Sequence, residues 1–190
     1  MIKAKTTNHR RQGARAGNGN DQDSERMDNP LHEAFLDEIA DMYNAEQQLT
    51  KALPRMAKAA QSEELREAFE AHLQETEEQA RRIEEAMETL GETLKRKKCK
   101  AMEGLLAEGK EMMEEFEDNP ALDAVLIAAA QKVEHYEIAS YGTICEWARQ
   151  MNHNEALNLF QENLDEEKAA DEKLTQIAES AANIHAEEKE

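Results

Sequence analysis

The chain has 190 residues and a formal net charge of −19, with 34% charged residues, 4% aromatics, seven glycines and three prolines. So acidic a body repels phosphate backbones and anionic lipid, which argues against nucleic acid or an anionic membrane as its partner. No stretch reaches the ~18 apolar residues of a membrane span. Ala, Glu, Lys, Leu and Arg dominate, the composition of long helices, and few β-branched or aromatic runs exist to build a sheet.

Residues 1–28 hold Gly, Asn, Gln and Arg without a hydrophobic period. They are expected to form a disordered, solubilising tail, the alternative being contact with nucleic acid or with the acidic body. No apolar h-region suggests a secretory signal. Cys99 and Cys145 form neither a CxxC nor a zinc pattern, so both read as reduced packing residues of a cytoplasmic protein.

Residues 29–185 read as one helical domain, with 186–190 fraying. Asn29 can cap a first helix and Pro30 suits its first position. Phe35, Ile39, Met42, Glu46, Leu49, Leu53 and Met56 then step by fours and threes along one face, with Pro54 expected to bend the helix before it ends near Ala60. Ser62 caps a second helix bearing Leu65, Phe69, His72, Thr76, Gln79, Ile83, Met87 and Leu90, and Gly91 stops it. A long connection follows, with a short amphipathic helix predicted inside 99–117. Asp118-Asn119-Pro120 opens a third long helix carrying Ile127, Ala130, Glu134, Glu137, Tyr141, Ile144 and Ala148. After a break at 152–154, a fourth carries Leu157, Phe160, Leu164, Glu167, Asp171, Leu174 and Ala178. Two antiparallel hairpins joined by one long crossover with a short extra helix make an all-α, ferritin-like four-helix bundle.

Acidic and imidazole side chains interrupt these apolar faces near mid-helix. The first helix offers Glu46, the second His72 and Glu75, the third Glu134 and Glu137, the fourth Glu167 and Asp171. Glu46 and Glu75 lie about 15 residues either side of one hairpin turn, and Glu137 and Glu167 about 15 either side of the other; at ~1.5 Å rise per residue both sets fall near the middle. Buried carboxylates in one layer must be protonated, paired or metal-bound. His72 is the one residue on the stripes that can become cationic, and no Lys or Arg falls on them. Oxygen ligands with one imidazole suit a pair of divalent metal ions, iron or manganese, and the carboxyl groups are then expected to face inward and converge to within about 4–6 Å. Tyr43 and Tyr141 each sit one turn from a candidate ligand and can hydrogen-bond it or simply pack. His135 points off the face, and the methionines read as gap-fillers or an interface.

Asp41-Met-Tyr-Asn-Ala-Glu-Gln-Gln-Leu, Ala71-His-Leu-Gln-Glu-Thr, Cys99-Lys-Ala-Met-Glu-Gly-Leu, the run Ala128–Thr143 and Asp165-Glu-Glu-Lys-Ala-Ala-Asp resemble the YciF-type, ferritin-like bacterial stress proteins, over residues 30–180. The resemblance implies a cytoplasmic, dimeric helical bundle associated with stress responses. It supplies no reaction. The ligands depart from the ferritin-like norm of a Glu from two helices and Glu-x-x-His from the other two: His72-x-x-Glu75 is reversed, Glu167-x-x-x-Asp171 lacks histidine, and the third helix has two glutamates. Two readings stay open. One is a di-iron or di-manganese protein that handles iron or peroxide, as an oxidoreductase reducing peroxide or oxidising ferrous iron. The other is a non-enzymatic stress or interaction protein with a hydrated polar layer and no metal. A homodimer is expected in either case, with Met102–Phe116 as the apolar strip.

Overall fold

The computed structural model describes residues 29–187, so both the 1–28 tail and residues 188–190 lie outside the described part. All regular structure among the described residues is helical, with no strand. The helices are α1 Pro30–Ala59, α2 Glu63–Leu90, α3 Lys100–Glu115, α4 Leu122–Gln150 and α5 Asn154–Ile177; a π-helical turn Ala178–Ala182 leads into a short α6, Asn183–Glu187.

Each boundary has a local cause. Asn29 Oδ1 accepts from Leu31 N at 3.0 Å ahead of Pro30, and Ser62 Oγ accepts from Leu65 N at 3.3 Å. Side-chain acceptors thus satisfy amide donors that a helix start leaves unpaired. Gly91 closes α2 in the left-handed region at φ 70°, where a Cβ would be strained. Pro54 sits inside α1, which continues through it to Ala59.

The third long helix begins two residues later than its Asn-Pro signal. Asn119 Oδ1 accepts from Ala121 N at 2.9 Å, and residues 116–121 form turns, with Leu122 N bonding Asn119 O at 3.0 Å. Asp123, in the first turn of α4, then serves a different hairpin. Its carboxylate accepts from Gln61 N at 2.7 Å and from Ser62 N at 2.8 Å, tying the α1–α2 turn to α4.

Helix directions follow from residue pairs. Tyr43 donates to Glu84 across α1 and α2, and Asn163 Nδ2 donates to Tyr141 OH across α4 and α5. Phe35 stacks on His153 just past α4, whereas Gln61 meets Asp123 at the start of α4, so α1 and α4 are also antiparallel. Lys173 pairs with Glu64, and Arg82 with Glu166, which runs α5 against α2. Consequently α2 and α4 point the same way, and the connection between them, residues 91–121, carries the chain back along the bundle.

Along that return α3 packs on α1 and α4. Its start is pinned by Asn44 Oδ1, which accepts from Cys99 N at 2.8 Å, and by Gln48 Nε2, which donates to Cys99 O at 2.9 Å. Met102 is fully buried in the core. Of the expected apolar strip Met102–Phe116, Met102 is thus in the core, while Leu105, Leu106, Met113 and Phe116 are partly buried and pack against it.

Candidate metal centre

The apolar stripes deliver their polar interruptions to one place. Glu46 follows Phe35, Ile39 and Met42 on the buried face of α1, and Glu134 and Glu137 share the buried face of α4 with Val133 and Tyr141. Burial of the flanking apolar residues forces the acids inward, because a helix cannot rotate one side chain out without exposing its neighbours. His72 on α2 and Glu167 on α5 arrive by the same logic.

One ligand atom each from His72, Glu134, Glu137 and Glu167 lies within 4.8 Å of all the others, and all four residues are buried. His72 Nε2 stands 3.5 Å from Glu134 Oε1 and 3.7 Å from Glu167 Oε2. Glu46 is fully buried beside this ring and electrostatically linked to Glu167. Two other candidates stay at its margin. Glu75 is half-exposed and places Oε2 3.1 Å from His72 Nδ1. Asp171 accepts from Gln131 Nε2 at 3.1 Å and lies 3.4 Å from His135 Nε2 on the solvent side.

The ring is short of hydrogen bonds. His72 Nε2, Glu46 Oε2, Glu134 Oε2 and both carboxylate oxygens of Glu137 and of Glu167 are buried without a hydrogen-bond partner. A buried polar atom left so costs about 1–3 kcal/mol, more when charged. Burial pushes the carboxyl groups of Glu46, Glu134 and Glu137 well above the usual range, and the negative charge of Glu167 pushes each further. For His72, burial works to lower the imidazole's affinity for a proton, but the Glu75 hydrogen bond and the Glu167 charge together outweigh it, so the net shift is upward.

Four buried carboxyl groups and a single imidazole are thus held together with most of the carboxyl oxygens unpartnered. That donor set, oxygen-rich with one nitrogen, fits divalent cations of the iron or manganese type. Glu75 on the outer nitrogen of His72 fixes the ring orientation and leaves Nε2 facing inward.

The sequence pattern marked Tyr141 as a possible partner of a ligand but missed the residues that brace it. Tyr141 donates to Glu46, and Asn163 in turn donates to Tyr141 OH and to Gln79 O at 3.3 Å. Asn163 Oδ1 accepts from Arg82 Nη1 at 2.9 Å, and Arg82 also holds Glu166 through two bonds of 2.7 and 2.6 Å. Arg82 and Glu166 lie one residue off the apolar periods, and Asn163 is bracketed by charged and apolar neighbours, so nothing in spacing marks them. Their signal is an opposite-charge pair available only across two helices. The paired tyrosines also separate: Tyr141 is buried against a ring carboxylate, whereas Tyr43 reaches Glu84 nearer the surface. Cys99 is buried with Sγ 3.1 Å from Tyr136 OH, which donates to Asp41 at 2.9 Å, and both Cys99 and Cys145 are free thiols.

Residues 30–187 match the family model described as a domain of unknown function, DUF892. Protein YciF of Escherichia coli strain K12 is 49% identical over 160 residues, covering 84% of this chain and 96% of that protein. The crystal structure of the E. coli stress protein YciF superposes with a TM-score of 0.78 over 80% of this chain and 97% of that one. A putative structural protein from Rhodopseudomonas palustris, at 40% identity, gives 0.76 over 79% and 96%. A Xanthomonas campestris protein at 21% identity shares the fold, at 0.66 over 84% and 97%. With the family match over residues 30–187 and 49% identity to YciF across most of both chains, the chain belongs to the DUF892 family as a YciF-type member.

Proposed function

We propose that the ring is a dimetal carboxylate centre, loaded with iron or manganese, in a ferritin-like bundle that serves a bacterial stress response in the cytoplasm. The observation that carries this reading is the set of buried, unpaired carboxylate oxygens facing one imidazole nitrogen. His72, Glu134, Glu137 and Glu167 would hold the ions, with Glu46 as the further carboxylate. Glu75 orients His72, and Asp171 stays in reserve at the margin. Two such ions supply redox and Lewis-acid chemistry toward ferrous iron or peroxide. The chain's own contribution is a cage of packed helices in which Tyr141 hydrogen-bonds one oxygen of Glu46 and leaves the other buried and unpartnered. The stress setting rests on the similarity to the E. coli stress protein YciF.

A second reading has its own support. With Glu46, Glu134 and Glu137 raised well above the usual carboxylate range, neutral carboxyl groups can stand in a protein without metal. The chain would then be a non-enzymatic stress or interaction protein.

Thermal unfolding of the wild type and Glu134→Gln, each with manganous or ferrous ion and with chelator, separates the two. The metal reading expects a rise in the wild-type midpoint on adding metal and a smaller rise in Glu134→Gln. In chelator the variant is the more stable, since one repelling buried charge is gone. A wild-type midpoint indifferent to metal, or equal shifts in both proteins, removes the dimetal reading and leaves the second.

The chain is also proposed to form a homodimer through the groove of about 250 Å³ between α1, α3 and α4, where Met56, Leu105, Leu106, Met113 and Val133 present an apolar floor. Sedimentation at micromolar concentration should give twice the monomer mass; monomer alone would refute it.

A further inference from the structure

Between α2 and α5 a cleft of about 300 Å³ runs from the surface to the ring. Its inner wall is His72 and Glu134, which are 5% and 3% exposed and each carry an unpartnered polar atom, Nε2 and Oε2. Its sides carry four alanines, Ala68 and Ala71 from α2 and Ala169 and Ala170 from α5, with Phe69 and Leu174 completing the lining. A larger side chain at these places would narrow the cleft. A water molecule takes about 30 Å³ in the liquid, so the cleft has room for a cation with part of its water shell.

The outer end is acidic. Glu64, Glu67 and Glu75 line it, and the lysine among them, Lys173, is already paired with Glu64 at 2.6 Å. Glu75 spans the two ends. Its side chain is 47% exposed, yet Oε2 lies 3.1 Å from Nδ1 of a His72 side chain that is 7% exposed. A cation arriving at Glu75 is thus one side chain from the ring.

We propose that this α2–α5 cleft is the route by which a divalent cation reaches the buried ring, drawn in by Glu64, Glu67 and Glu75 and admitted by the small side chains of Ala71 and Ala170. The proposal rests on the dimetal reading and adds the path and the residues that set its rate. Narrowing the cleft slows loading and leaves the loaded state unchanged. Removing mouth charge slows loading and weakens its dependence on salt, because a charged funnel raises the local concentration of counter-ions.

The test uses the full chain, stripped of metal, mixed rapidly with manganous ion, with uptake followed by loss of the free-ion EPR signal. Ala170→Leu should slow uptake about tenfold and Glu67→Gln about threefold with a flatter salt dependence. Both should reach the wild-type stoichiometry and the wild-type midpoint with metal. If both variants load at the wild-type rate to the wild-type stoichiometry, the route is wrong while the metal reading stands. If the wild type takes up no manganous ion, both fall. Should Ala170→Leu fail to fold, Glu67→Gln decides alone, since it alters only an exposed mouth residue.

Discussion

Two polar clusters share the middle of the bundle and settle their charge in opposite ways. In the Arg82–Glu166–Asn163 cluster the chain supplies both signs: a guanidinium bonds a carboxylate twice and an amide once, and the bonding to Glu166 holds Arg82 firmly charged. In the ring, one imidazole meets Glu134, Glu137 and Glu167, with Glu46 buried beside them, and most of these carboxyl oxygens have no partner. The first is a closed structural brace. The second is a site whose charge is balanced only by protons or by cations from outside. A carboxylate on a buried helix face is therefore not evidence of a ligand site until its partners are known.

That contrast breaks first on metal. At ion concentrations near 1,000 times the dissociation constant, binding to the folded state contributes about 4 kcal/mol. At ~2–4 °C per kcal/mol for a chain of this size, the wild-type midpoint should rise by about 8–16 °C. Arg82→Gln should show the same metal increment on a lower baseline, because the brace holds no ion. Loss of the increment in Arg82→Gln would mean that the two clusters are one site.

The next largest effect is pH in chelator. The carboxyl groups of Glu46, Glu134 and Glu137 bind protons more tightly in the folded chain than in the unfolded one, and so does the His72 imidazole. Between the unfolded and folded values the native state holds more protons, so stability falls as pH rises. The metal-free midpoint should therefore be higher at pH 5.5 than at pH 7.5. Asp41 is shifted the other way, downward, its burial being outweighed by hydrogen bonds, so its stabilising contribution is complete across this range and is lost only as pH falls below it. With metal the trend should flatten or reverse, since ions and protons compete for the same oxygens. A metal-free midpoint that climbs with pH across this range would show that the ring is not the dominant titrating group.

Smaller effects distinguish the braces. Tyr141→Phe removes the hydrogen bond to a buried Glu46 oxygen and should cost about 1–3 kcal/mol, as should Arg82→Gln, which strands Asn163 Oδ1 and Glu166. Denaturant unfolding measures both. Smallest is Tyr43→Phe, whose bond to Glu84 lies toward the surface, with an expected change within about 0.5 kcal/mol. Equal costs for the two tyrosines would erase the distinction between ring and surface.

The 3.6-residue period, the caps at Asn29 and Ser62 and the stop at Gly91 determined by themselves four long helices, the faces they bury, and the polar residues on those faces. Equal counts from the two turns placed Glu46 with Glu75 and Glu137 with Glu167 near the middle of the bundle, because rise per residue is fixed; which of the mid-helix residues converge, His72, Glu134, Glu137 and Glu167, was decided by packing. Angle about the helix axis is not fixed by such counting. Glu75 and Asp171 sit at the right height, but tertiary packing turned them to the margin, one onto His72 Nδ1 and the other onto Gln131. Packing also decided that Met102 faces the core, that Asp123 clamps a turn some sixty residues earlier, and that Arg82 finds Glu166. Each of these depends on which helices become neighbours. A one-dimensional pattern reports the face a residue occupies, whereas its partner is chosen by a different segment of the chain.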